Sequence, residues 1–488
     1  MLKIKKGDNM LRAKNYFNQL DITSQGNSMT TVGKYDEQPV LEYAEMPRQN
    51  LPIPELLQPI SEDDDKVHYH LTAKDSQTEY FKDVISPSKG FSRHVLGPVI
   101  KLKKGQNVTM TTENQLDEPL TYHWHGLMLN AEADGGPMRV VESKEKTDVN
   151  FTVRNEAATY WYHPHTYQLS PEQVYQGLAG LIYVEDENSE KLKNNLPHEH
   201  GVDDLPLIVQ DRYFTGEGIV DYEAVKSEDG TRGDHLLLNG ALMTKVDTNK
   251  RYVRLRLLNA SNRTNFKFEL SDGGQFFQIA TDGGFLNYPL GMMSLILGAG
   301  ERAEIVLDLN EAAEETVHLL INNFKALEIN IIDELEENVE FSYTLSLRED
   351  LFDVIYPEEV AELPMRHIIM QGTDERVAIN GRKYKLGRID ETYTKDQYYV
   401  WRVVNQKDDL ENMPHPFHSH DTQFRILARN GKLPYQNEMG NKDTFVVNEG
   451  EYVDVLVKFP NTGVFMYHCH NLEHQEHGMM AHFEVKDK

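Results

Sequence analysis

The segment Tyr467-His468-Cys469-His470-Asn471-Leu472-Glu473-His474-Gln475-Glu476-His477-Gly478-Met479 carries the only cysteine of the 488-residue chain. Histidines flank that cysteine on both sides; another follows five residues on, and a methionine ten on. A thiolate, imidazoles and a distant thioether make up the ligand set of a blue-copper electron-transfer site. In an extended strand successive side chains point to opposite faces. Cys469 therefore points one way while His468 and His470 both point the other. One tripeptide can touch two metal centres on opposite sides of a strand, with its backbone as a short covalent path between them.

Four His-X-His pairs occur: His123-Trp-His125, His163-Pro-His165, His418-Ser-His420 and His468-Cys-His470. The period of two sets both imidazoles of each pair on one strand face. Eight imidazoles converging between two domains can hold several copper ions. Neutral imidazole suits copper, iron and zinc alike, and the cysteine set tips the choice to copper. A zinc hydrolase needs a compact three-ligand site with an open position, which leaves the cysteine-histidine-methionine set unexplained. His415 stands three residues before His418, so on a strand it faces the side of Cys469. His415, Cys469 and His474 then form a trigonal set with Met479 as weak axial ligand.

Around these motifs the chain reads as short alternating strands separated by Gly, Asn, Asp and Pro turns, an all-β pattern of sandwiches. One unit recurs three times. Lys146–Val153 leads into Thr159–His165, Gly300–Asp308 into Glu315–Ile321, and Gly450–Lys458 into Thr462–His470. A repeat of this size marks a duplicated domain. We expect an N-terminal extension over 1–40, poorly ordered or wrapped on the surface, then domains over 41–187, 188–363 (including a linker) and 364–488. The charged runs Glu185–Asn188 and Tyr356–Glu359 serve as links. The middle copy has only His318 where the others have His-X-His, so the middle domain is expected to hold no metal.

The net charge of −28 argues against nucleic acid as a partner. No run approaches the ~18 apolar residues of a membrane helix, and no apolar stretch of signal-peptide length follows the basic N-terminus. These features set the expectation of a soluble, cytoplasmic protein, with export by another route left open. A single cysteine excludes an intrachain disulfide.

His123-Trp-His-Gly126, Tyr162-His-Pro-His-Thr166, His415-Pro-Phe-His-Ser-His420 and the His468–Met479 segment together resemble the multicopper oxidases, most of all the bacterial three-domain laccases and cuprous oxidases. The resemblance covers nearly all the chain from about residue 45. It implies three cupredoxin-like Greek-key β-sandwich domains and four copper ions: one type 1, one type 2 and two type 3. It makes His415, Cys469, His474 and Met479 the type 1 ligands, and His123 and His418 the type 2 ligands. His125, His163, His165, His420, His468 and His470 become the type 3 ligands. Four electrons then pass singly from an outer reductant through Cys469 to His468 and His470, and dioxygen becomes two waters. Asp134 matches an acid that supplies protons in the family. The family's second proton donor directly follows the type 1 histidine; here that place holds Gln475, with Glu476 next to it as the substitute.

The resemblance leaves two reductants open. A laccase-like oxidase takes phenols and aromatic amines; a cuprous oxidase takes Cu(I) and serves copper tolerance. No methionine-rich insert appears, and Leu351–His367 holds only Met365. Glu411 and Met413 match an acid and a methionine that dock Cu(I). Met480 and Met292-Met293 read as packing residues. The laccase-like reading is the better description, with dioxygen as acceptor and a monomer as the expected state. The non-enzyme alternative is a cell-division protein of the same fold that has lost its copper ligands; here every ligand position is filled.

Overall fold

The computed structural model describes residues 46–348, 357–407 and 413–488. The 1–40 extension and Glu411 lie outside the described residues. Alternation builds the strands. In Lys66–Phe81, Val67, Tyr69, Leu71 and Ala73 are buried while His68, His70 and Thr72 on the opposite face are partly open.

The strands form six sheets, and one apolar cluster fills the space between the members of each pair. The first pair sets the sheet of Lys66–Phe81, Asn107–Asn114 and Lys146–Thr152 against that of Ile100–Lys103, Gly180–Glu185, Ala158–His163 and His123–His125. The middle pair has six strands in each sheet. Gln49–Asn50, which sequence reading places in the first domain, pairs in parallel with Thr244–Lys250 of a middle sheet. The third pair sets Met365–Gln371, Tyr398–Gln406 and Tyr452–Lys458 against His415–Ser419, Thr444–Val447, Gly463–Cys469 and Met480–Lys486. The whole is a mostly β protein of three cupredoxin-like sandwiches.

Trp401, fully buried, anchors the third core. Phe417, Phe459, Tyr467 and Phe483 surround its ring at centroid distances of 5.4–6.2 Å. Phe417 and Tyr467 sit on the strands that carry His415 and Cys469, so this aromatic packing fixes where those strands lie.

Local structure adds detail to these expectations and changes one of them. The segment after His165 forms the helix Ser170–Tyr175, with Pro171 in its first turn and most side chains buried. The charged link near Asp186 is a capping box: the Asp186 carboxylate accepts from Ser189 N, and Ser189 Oγ accepts from Asp186 N, opening the helix Glu187–Lys191. Met480 and Met292 are packed, but Met293 is exposed. Among the described residues no helix is long and apolar enough to cross a membrane.

Candidate metal centres

The strands His415–Ser419 and Gly463–Cys469 pair antiparallel, with Phe417 opposite Cys469 and His418 opposite His468. Directly opposed residues share a face. The pairing thus sorts His415 and Cys469 to one side and His418, His420, His468 and His470 to the other. On the first side His415 Nδ1 lies 3.7 Å from Cys469 Sγ, and His474 completes a buried trio. His474 rides on the short helix Leu472–His477, capped by Asn471, whose side chain accepts from His474 N. Asn471 N also donates to Cys469 Sγ at 3.4 Å. Met479 is buried in the same core, and its carbonyl accepts from Cys469 N at 3.0 Å.

On the other side all eight paired histidines meet, each buried. The strand His123–His125 pairs with Ala158–His163 so that His123 opposes His163. His165, His420 and His468 form one trio, with His468 Nε2 at 3.2 Å from His165 Nε2 and 3.3 Å from His420 Nε2. His125, His163 and His470 form another, with ring centroids 5.0–5.5 Å apart. His123 and His418 lie between them, 5.7 Å apart.

Hydrogen bonds on the outer nitrogens select the inner ones. His123 Nδ1 donates to the Asp134 carbonyl, His163 Nδ1 to that of Pro164, His418 Nδ1 to that of Asp443 and His468 Nδ1 to that of Cys469. His420 Nδ1 donates to Asp134 Oδ2 at 2.6 Å. Each of these five therefore turns Nε2 inward. His125 is reversed: its Nε2 meets Asp443 Oδ1 and Thr444 Oγ1, both at 3.0 Å, while Nδ1 faces His163 Nε2 at 3.3 Å.

Burial pushes every one of these imidazoles toward the neutral form, His123 to about 4 and His470 to about 3. Neutral imidazole is the ligating state. His123 Nε2, His418 Nε2, both His470 nitrogens and both His474 nitrogens are buried without a protein hydrogen-bond partner. Orphan buried acceptors at this density are costly unless something binds them. The donors fit copper: imidazole and thiolate on one side, imidazole alone on the other. Asp443 also lies within reach of His125 and His418. Both its oxygens are held by Arg302 at 2.6 Å, so it serves as support and not as a ligand.

Asp134 is 3% exposed, and burial raises its carboxyl to about 8. Glu476 accepts from Gln168 N and from Gln475 Nε2, and burial raises it to about 7. Met413 is half-buried, with its carbonyl bonded to Asn405 Nδ2. His318 pairs with Glu328 at 3.5 Å and joins no metal-capable group among the described residues. Sequence reasoning missed Asp443, Thr444, Arg302 and Asp229. A signal for Arg302 was available: a charged residue opening Arg302–Asp308, a strand buried along its whole length.

Three family models, each described as multicopper oxidase, match residues 72–189, 203–328 and 358–488. Multicopper oxidase mco of Staphylococcus aureus is 36% identical over 438 residues, 90% of this chain and 93% of that protein. Cell division protein FtsP of Dickeya dadantii is 31% identical over 465 residues, 91% of this chain and 94% of that protein. The crystal structure of a laccase from Pediococcus acidilactici superposes with a TM-score of 0.85 at 33% identity, covering 94% of this chain and all of that one. With three matched domains and a buried donor set suited to four copper ions, the chain belongs to the multicopper oxidase family, copper-dependent oxidoreductases that reduce dioxygen.

Proposed function

We propose that the protein is a laccase-like oxidase of phenols and aromatic amines, with His415, Cys469, His474 and Met479 as type 1 ligands. His123 and His418 are the type 2 ligands, and the two histidine trios hold the type 3 pair. Bound copper supplies one-electron oxidation of the reductant at the cysteine site and four-electron reduction of dioxygen to water at the histidine site. Cys469 joins the two by covalent bonds alone. Asp134 Oδ2 accepts a hydrogen bond from His420 Nδ1, so the proton of the neutral acid sits on Oδ1, a buried oxygen with no partner. Glu476, whose carboxyl burial raises to about 7, exchanges its proton near neutral pH and is the second proton holder in this reading.

One observation favours an organic donor. Asp229, from the middle domain, sets Oδ1 3.9 Å from His474 Nε2 while its side chain stays 32% exposed. The nearby His474 imidazole is the main influence holding this carboxyl below its ordinary value. A partly exposed carboxylate beside the buried type 1 histidine accepts the proton that a phenol or aromatic amine sheds on oxidation. Asp374 N fixes that oxygen at 2.8 Å.

Initial oxygen uptake by copper-loaded enzyme tests the reading, comparing buffered Cu(I) with a methoxyphenol, the latter with and without Cu(II). Efficient phenol oxidation without added Cu(II) supports it; turnover only with Cu(I) or through Cu(II) makes the protein a cuprous oxidase. Asp229→Asn should raise KM for the phenol about 10–100-fold, the worth of a hydrogen bond to a charged group. An unchanged KM removes Asp229 from the donor site. A metal-free structural role, as the likeness to the cell-division protein suggests, leaves the buried unpartnered imidazoles without a purpose.

A further inference from the structure

The middle domain contributes no residue to any metal-capable group among the described residues. It nevertheless reaches the histidine cluster through Arg302, which is wholly buried. A guanidinium has five N–H donors in a fixed fork, and here all five are used. Nε donates to the Thr159 carbonyl at 3.0 Å. Nη1 donates to the Gly300 carbonyl at 3.1 Å and Nη2 to the Asp282 carbonyl at 3.0 Å. The remaining two donors form a bidentate pair with Asp443, each at 2.6 Å. Thr159 belongs to the first sandwich, Gly300 and Asp282 to the middle one, and Asp443 to the third. One side chain ties the three together beside the cluster.

The Asp443 carboxylate carries this grip to His125, while its carbonyl accepts from His418 Nδ1. Its Oδ1 accepts from Arg302 Nη1, from Thr444 Oγ1 at 2.9 Å and from His125 Nε2 at 3.0 Å. Its Oδ2 accepts from Arg302 Nη2 and from Gln423 Nε2 at 2.9 Å. A carboxylate surrounded by donors is an acceptor only. The hydrogen of His125 therefore resides on Nε2, and Nδ1 presents a lone pair to the cluster. Glycine backbone makes room for this. A Cβ on Gly126, the residue after His125, would lie 2.5 Å from Asp443 Oδ2 and 2.8 Å from Arg302 Nη2. A Cβ on Gly300 would lie 2.9 Å from the His470 ring. Gly300 thus closes against His470, and Arg302, two residues on, reaches His125 through Asp443.

We infer that Arg302 is a positioning residue through which the middle domain holds Asp443 against His125 and so fixes the Nδ1-donating tautomer of that ligand. The inference rests on the reading of His125 as a copper ligand. Lys442 supports the same contact from the next position, bridging Asp282 and Glu301 at 3.0 Å each.

The test compares Arg302→Met, Arg302→Lys and Asp443→Asn with the parent, each purified and copper-loaded. The readouts are copper per chain, blue absorption per chain and the electron paramagnetic resonance signal of the type 2 copper. The expected result for Arg302→Met is full blue absorption with copper falling from four per chain towards one and a lost or altered type 2 signal. Arg302→Lys, which keeps the charge and part of the fork, should recover a substantial fraction of the missing copper. Should Arg302→Met prove insoluble, Asp443→Asn decides, because it preserves volume; retained blue absorption with an altered type 2 signal is expected. Four coppers and an unchanged type 2 signal in the soluble variants overturn the inference, as does blue absorption falling in step with the other signals. A parent that binds no copper at the histidines refutes the ligand reading instead, which separates the two failures.

Discussion

Replacing Cys469 with Ser should abolish the blue colour and all oxidase turnover of the copper-loaded protein while three of its four coppers remain bound. Cys469 is fully buried, and burial alone pushes its thiol up to about 12. A bound cation reverses that preference and takes the thiolate outright. A serine hydroxyl in the same place is a hard, neutral donor without the soft sulfur that binds copper strongly. The covalent path from the reductant side to His468 and His470 loses its first atom. The eight histidines on the opposite face keep their positions, because the core around Trp401 does not depend on the sulfur. Visible absorption, metal analysis and oxygen uptake check the three parts separately. Retained colour and turnover would refute the assignment of Cys469.

The second large effect is on the proton side. Asp134→Asn should lower kcat about 10²–10⁴-fold, the usual worth of a positioned general acid, with copper content unchanged. Asparagine keeps an oxygen for the 2.6 Å bond from His420 Nδ1, so the ligand stays in place, but an amide has no proton to release. The sign of the pH dependence follows from burial. With its carboxyl raised to about 8, Asp134 is protonated at neutral pH and loses the transferable proton as pH rises through 8. Parent turnover under saturating reductant should therefore decline on the alkaline side, and the variant should lack that limb. A variant with parental kcat and an unchanged profile would exclude Asp134 as proton holder.

Much of this site was legible from strand periodicity. The three-residue offset of His415 from His418, and the alternation through His468-Cys469-His470, separate two centres before any contact is known. Both separations appear in the register of the paired strands. How the eight histidines group with one another was not legible, because it depends on how two sandwiches face each other. The reversed ring of His125 was hidden for the same reason: its partner Asp443 stands 318 residues away. Arg302 appeared in the repeat only as one position of an amphipathic strand; both faces of that strand are buried, so the repeat concealed a fully used guanidinium. The helix Ser170–Tyr175 was not legible because six residues are too few to show a helical period, although Pro171 marks a first turn.

The central claim is that one cysteine-centred site and one eight-histidine site stand back to back across a single strand. Anomalous diffraction at the copper edge from copper-loaded crystals tests it most directly. The expected map has one copper among His415, Cys469, His474 and Met479, and three among the eight histidines. His125 should bind through Nδ1, and His123, His163, His418, His420 and His468 through Nε2. Copper confined to one side of the strand, or His125 bound through Nε2 with Asp443 turned away, would contradict the account.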